Sequence, residues 1–175
     1  MELDFNKKVL VRNTVNCYVA FRAINTAQDI VITPLAKTPL TIGEIVAQSY
    51  GGNKLFVGID GKGNHAQLYI EDQDTRIECG FEDPVQNIKQ EVVDKQAILD
   101  LFSIKTITAF KKELPNKIQT DAEKRLLRSI LENNEINDRL ISLVKKAHLT
   151  IDTDERQEIL GEIELTGAKI ITMSR

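Results

Sequence analysis

The sequence predicts an α+β chain: a β-rich N-terminal part with one short helix, followed by a bundle of short α-helices and an extended C-terminal tail. Three observations predict it. Before Asp83-Pro84 the apolar residues mostly recur every second position, the period of a half-buried strand. After it they recur every three to four, the period of an amphipathic helix. Capping residues then stand where the helical stretches should begin. Residues 1–82 form the β-rich part and 83–175 the helical part with its tail; the alternative is one integrated unit.

Residues 1–8 read as an arm anchored by Leu3 and Phe5, and Val9 to Val11 as a short strand. From Val15 the alternation is clear: Val15, Cys17, Val19 and Phe21 on one side, Asn16, Tyr18, Ala20 and Arg22 on the other. Ile30-Val31-Ile32 is a second β-branched run. Thr41 and Glu44 make a capping box for a helix over Ile42–Ser49, ended by Gly51-Gly52. Leu55 to Ile59 reads as a strand, and Leu68–Glu71 with Thr75–Cys79 as a hairpin.

Asp83 has the chemistry of an N-cap and Pro84 that of a first helical residue. Val85, Ile88, Val92, Leu99 and Phe102 then share a helical face, with Asp94 as a possible second cap. A helix over Thr106–Leu114 should stop before Pro115. Thr120 and Glu123 form another capping box, ahead of Leu126, Leu127, Ile130 and Leu131 and a stop near Asn133-Asn134. Asn137 or Asp138 should cap the next helix, with Leu140, Ile141 and Val144 inward. Thr153 or Asp154 should cap the last, with Gly167 as its stop and Ile170, Ile171 and Met173 in the extended tail.

Composition narrows the function. Neither part is basic: residues 1–82 hold 8 Lys/Arg against 10 Asp/Glu, and 83–175 hold 15 against 16. The charge footprint of a nucleic-acid binder is therefore missing at the level of whole parts. Apolar runs fall far short of the roughly 20 residues that span a bilayer, so no membrane partner is expected. The start, Met1-Glu2-Leu3-Asp4, is acidic where a signal peptide is basic, which points to a reducing cytoplasm. Cys17 and Cys79 read as small buried hydrophobes, and a bridge between them stays open.

No residue set has the pattern of a catalytic, cofactor or metal site. Asp60-Gly61-Lys62-Gly63-Asn64 has Lys and His where a calcium loop needs an acid and Gly. Gly58, Gly61 and Gly63 lack the Gly-Lys-Ser/Thr of a phosphate loop. His65 and His148 have no Cys or His at ligand spacing, and Glu71, Asp72 and Asp74 read as a charged turn. Lys111-Lys112, Lys124-Arg125-Arg128 and Lys145-Lys146 form basic clusters, interleaved with Glu113, Asp121, Glu123 and Glu132.

Several short motifs carry a resemblance. They are Arg12-Asn13-Thr14 with Tyr18 and Pro34, the capped Ile42, Glu44 and Ile45, and Ser49-Tyr50-Gly51-Gly52. Phe110 and Leu114, Leu140-Ile141, Lys145-Lys146-Ala147, Leu149, Asp152, Asp154, Arg156, Ile159 and Thr166-Gly167 follow in order. In these the chain resembles a family of small head-associated proteins of tailed bacteriophages. It departs from the family pattern over Asp60–Phe81, where an added hairpin is expected. The resemblance implies a non-enzymatic auxiliary, decoration or minor head protein, made in the bacterial host cytoplasm and carried in the virion. Its partners would be major capsid or portal (connector) proteins, or further copies of itself, and no cofactor is implied. The expected contact residues are Leu3 and Phe5 of the arm and Ile170, Ile171 and Met173 of the tail. The alternative function is a nucleic-acid-binding or regulatory module using the rear helices.

Overall fold

Strand β1 (Lys8–Asn13) is the centre of the N-terminal structure, with Val9, Val11 and Asn13 turned inward. In this computed structural model, which describes residues 3–132, 135–150 and 152–173, two compact units appear. The first comprises 1–94 with 120–123, the second 95–119 with 124–175. The chain is α+β: among the described residues the antiparallel strands lie in the N-terminal part, with α1 and α2 ahead of the last strand and the other helices after it.

In the first unit, β1 lies between β4 (Lys37–Thr41) and β5 (Leu68–Ile70), both antiparallel to it. Strands β2 (Val19–Arg22) and β3 (Asp29–Ile32) form a separate hairpin, in the register Val19↔Ile32 to Arg22↔Asp29. Helix α1 (Ile42–Tyr50) begins where the capping box predicts, with the Thr41 side chain accepting from the Glu44 N–H. Val11, Ile32, Ile42, Ile45, Phe56, Leu68 and Ile70 are the centre of the core. Phe21 meets Phe56 edge to face, with ring centroids 5.2 Å apart.

Several elements differ from the sequence reading. The strand expected from Val15 begins only at Val19. The Asn13 side chain takes the Val15 N–H at 3.0 Å and gives its amide to the Cys17 carbonyl at 2.8 Å, bending the chain first. Leu55–Val57 belongs to a helical turn, α2 (Lys54–Val57), because the Asn53 side chain caps the Leu55 N–H. The second half of the expected hairpin is likewise a helix, α3 (Gln73–Glu78), capped by Asp72.

No helix starts at Asp83. Its carboxylate does accept the Val85 and Gln86 N–H groups, as a cap would. Asp83 and Ile88 then exchange backbone bonds of 3.1 and 2.9 Å, which closes a turn around the left-handed Asn87. Val85 and Ile88 stay exposed, so a helix here would have had no apolar face to bury.

The second unit holds α4 (Lys95–Phe102) and α5 (Ile107–Lys117), most of α6 (Asp121–Glu132), and the pair α7 (Glu135–Leu149) and α8 (Thr153–Met173). Helix α4 begins just after Asp94, but no helix precedes it there, so the chain starts a helix at that point and does not split one; α4 buries Ile98, Leu101 and Phe102. Helix α5 runs past the expected stop, through Pro115 to Lys117; the proline removes one intrahelical donor, and only two helical residues follow it. Helix α7 already begins at Glu135, ahead of Asn137 and Asp138. The expected stop at Asn133-Asn134 and the side chain of Ile141 lie outside the described residues.

The extended C-terminal tail is the main correction: Ile170, Ile171 and Met173 are the last turns of α8. Gly167 does not stop that helix. Its cost of about 1 kcal/mol relative to alanine falls in a 21-residue helix packed on α7 and α5. The cap is Asp152, one residue before Thr153 and two before Asp154, and it accepts the Asp154 and Glu155 N–H groups.

Two buried polar side chains organise the first unit. Asn13 also donates to the carbonyls of Ile32 and Thr33, tying β1 to both ends of the hairpin. Asn13→Ala should therefore lower unfolding free energy by about 2–4 kcal/mol, read as a reduced urea midpoint with an unchanged slope. Glu44 turns its carboxylate away from the capping box to accept the N–H groups of Ile24 and Asn25 at 2.8 and 2.9 Å, and Gln48 adds a third bond. Burial acts to raise its pKa, but the bonds from Asn25, Gln48 and Ile24 outweigh it and hold the carboxyl below its ordinary value. A lowered folded pKa gives stability that is complete above the unfolded value, about 4.3, and is lost as pH falls through the folded one. Asp72 acts in the same window, held low chiefly by the Thr75 hydroxyl. The urea midpoint should thus drop below about pH 4, and Glu44→Gln should be less stable at neutral pH with a shallower acid decline.

Candidate functional site

The candidate site is the outer surface of the β2–β3 hairpin and its flanks. Alternation sends Val19, Phe21 and Ile32 inward and leaves Ala20 and Val31, a cross-strand pair, facing out. Tyr18, just before β2, is 68% exposed and Val31 59%. Leu35, just after β3, is 48% exposed and has φ 58°. The Val15 carbonyl accepts its N–H at 3.3 Å. A branched apolar residue in the left-handed region is uncommon and strained by about 1–2 kcal/mol. Nothing in the sequence around Pro34-Leu35 signals this. Left-handed backbone is expected of glycine or asparagine, and Leu35 belongs to no periodic run.

The expected contact residues fall in different units. Leu3 is partly buried against the core of the first unit. Phe5 is exposed, and its carbonyl accepts the Gly43 N–H at 2.9 Å, which ties the arm to the start of α1. Ile170, Ile171 and Met173 belong to the second unit, where only Ile171 is well exposed, at 60%. Ile171 lines a cleft of about 300 Å³ with Ile107, Lys111, Ala168 and Thr172.

The residues weighed for chemistry have defined places. Asp60 spends its carboxylate on Lys62 and Asn64 N–H groups and the Asn64 amide. Gly58 and Gly63 answer to packing: a Cβ at either would lie 1.8 Å from the Asn64 carbonyl oxygen or 2.7 Å from the Phe81 ring. His65 is buried, with Nδ1 2.7 Å from Glu123. The other Glu123 oxygen completes the capping box with Thr120. His148 is exposed near the end of α7. Glu71 pairs with Arg12 and Lys37, Asp72 caps α3, and Asp74 sits in its first turn. Cys17 and Cys79 are free and partly buried against the core, so the open question of a bridge is answered. Burial raises the Cys79 thiol pKa against a lowering bond with Ser49. Lys111, Lys112, Lys124, Arg125, Arg128, Lys145 and Lys146 are all exposed, and Lys146 pairs with Glu155 at 3.2 Å.

Among the described residues there is no cluster of His, Cys, Asp and Glu fit for a metal ion, and no helix is long and apolar enough to cross a membrane. No family model, curated protein or solved structure matches the chain.

One functional-looking group was missed by the sequence reading. Lys169 is a buried amine that donates to the Phe102 and Ile104 carbonyls at the end of α4, with its nitrogen 5.6 Å from the Phe110 ring centroid. It therefore closes a helix C-terminus with a positive charge. Burial lowers its pKa, helped by Arg139 and opposed by Glu162. A buried cap on α4 has no sequence signal, since 67 residues separate Phe102 and Lys169. Lys169→Met should cost about 1–3 kcal/mol by leaving two carbonyls unpaired. A lowered cationic pKa makes stability rise with pH between the folded value and about 10.4. The gap between wild type and this variant should therefore widen over the alkaline range, as read from urea midpoints.

Proposed function

We propose that the chain is a non-enzymatic structural protein of a tailed-phage particle, an auxiliary, decoration or minor head protein that works through contacts with major capsid or portal proteins. The phage setting comes from the sequence resemblance. The observation that supports a contact role is Leu35, an exposed apolar side chain on strained backbone. Within the isolated chain about half of its surface stays in water, so its burial offsets that strain only in part. A partner that covers it supplies the remaining burial, about half of the roughly 1.5–3 kcal/mol that full burial of a leucine gives. Tyr18 and Val31 leave further apolar surface on the same hairpin and its flank. Such residues are the usual material of protein contacts when the surrounding surface is polar.

Mass spectrometry of purified particles should find the chain in them, and its absence would end this reading. Leu35→Gly relieves the left-handed backbone, so its melting temperature should hold or rise while its recovery with particles falls. Unchanged recovery would remove Leu35 from the contact.

A further inference from the structure

The four outer strand edges of the first unit are not equally protected. Edge strands expose unpaired N–H and C=O groups, and proteins guard them with lysine, proline or a covering element. Strand β4 carries Lys37 and Pro39. The last carbonyl of β5, that of Ile70, accepts from the buried Arg76 guanidinium at 2.6 Å. On the β2 side, the Arg22 carbonyl accepts the Gln48 side-chain amide at 2.8 Å, so α1 ties down one end of that edge.

Strand β3 is short and its one charge is Asp29, but among the described residues no element covers it. The Ala23 N–H bonds to the Gln28 carbonyl at 2.8 Å, which marks this opposed pair as hydrogen-bonded. Antiparallel pairs alternate, so Phe21–Ile30 and Val19–Ile32 are bonded too. Asp29 and Val31 must then aim their backbone groups away from β2. Neither has a backbone partner on that side among the described residues. Both residues are exposed, and Asp29-Ile30-Val31-Ile32 contains neither lysine nor proline.

We propose that β3 pairs edge to edge and antiparallel with β3 of a second copy, about a two-fold axis at Ile30. Asp29 of each chain then faces Val31 of the other, and the two opposed pairs form four N–H···O=C bonds from groups otherwise unpaired. The edge is self-complementary because its two free residues flank Ile30 equally, as a two-fold contact requires. Charge agrees: Asp29 faces a valine and not its own copy, while Arg22 stands opposite it within the hairpin. A one-residue slip would oppose outward groups to groups already bonded within the hairpin. A two-residue slip one way would need the Thr33 carbonyl, which already accepts from Ala36 and Asn13; the other way would set Asp29 against its own copy and need Ala27, whose backbone is left-handed (φ 55°). Two four-residue edges bury far less than the roughly 1,000 Å² of a stable interface, so the pairing is weak and reversible, of the kind that repeated copies add together. It does not depend on the phage reading, because it is tested on the protein alone.

The test is sedimentation equilibrium of the full chain from about 10 μM to 1 mM, with two variants of the exposed Val31. Wild type should associate reversibly to dimers as concentration rises. Val31→Asp sets two carboxylate pairs face to face and should weaken dimers by about tenfold or more at low salt. Val31→Lys sets two opposite-charge pairs instead and should dimerise at least as well as wild type. Amide exchange on wild type is the second measurement: the Asp29 and Val31 amides should be fast when dilute and slow when concentrated. A wild-type chain that stays monomeric throughout overturns the proposal. So do equal effects of the two variants, concentration-independent exchange at both amides, or association only with a different protein.

Discussion

The first unit depends on the burial of one amide side chain, Asn13. It lies at the end of β1, fully removed from solvent, and bonds to four backbone positions. A buried amide left unpaired is costly, so its partners must stay where they are. That requirement ends β1, bends the chain over Val15–Cys17, and locates the start of β2 and the end of β3 together. No apolar residue at position 13 could do this, because apolar contact does not specify which backbone groups approach.

Glu44 and Gln48 act in the same way one layer further out. The carboxylate holds the Ile24 and Asn25 N–H groups, and the amide holds the Arg22 carbonyl. Helix α1 is thus joined by polar bonds to β2 and to the turn after it. The hairpin therefore has one edge tied at its end to a helix and the other open. The open edge, the outward Val31 and the strained Leu35 belong to the same stretch of chain. Strain and exposure together mark it as the part of the unit least satisfied by its own fold.

The second unit uses a different device. Its helices are short or lightly apolar, and Lys169 supplies a charge where the end of α4 has unpaired carbonyls. The amine stays inside because two carbonyls and the Phe110 ring surround it. Burial lowers its pKa, and this desolvation works against the cation that the carbonyls favour.

The sequence by itself determined the α+β class, the strands around Val9–Val11, Val19–Arg22 and Ile30–Ile32, and the caps at Thr41 and Thr120. These are local: alternation and capping act over two to four residues, so they can be read without a partner. Tertiary structure decided the rest. Leu55–Val57 and Thr75–Glu78 became helical turns because Asn53 and Asp72 cap them against the core. Asp83 kept its capping bonds without a helix, because no apolar face there had anything to cover. Ile170–Met173 stayed helical because α8 packs on α7 and α5, and packing outweighs the weak stop of Gly167. The candidate site was the least legible part. An open edge and a left-handed leucine are defined by what does not bond or relax around them, and only the assembled fold decides that.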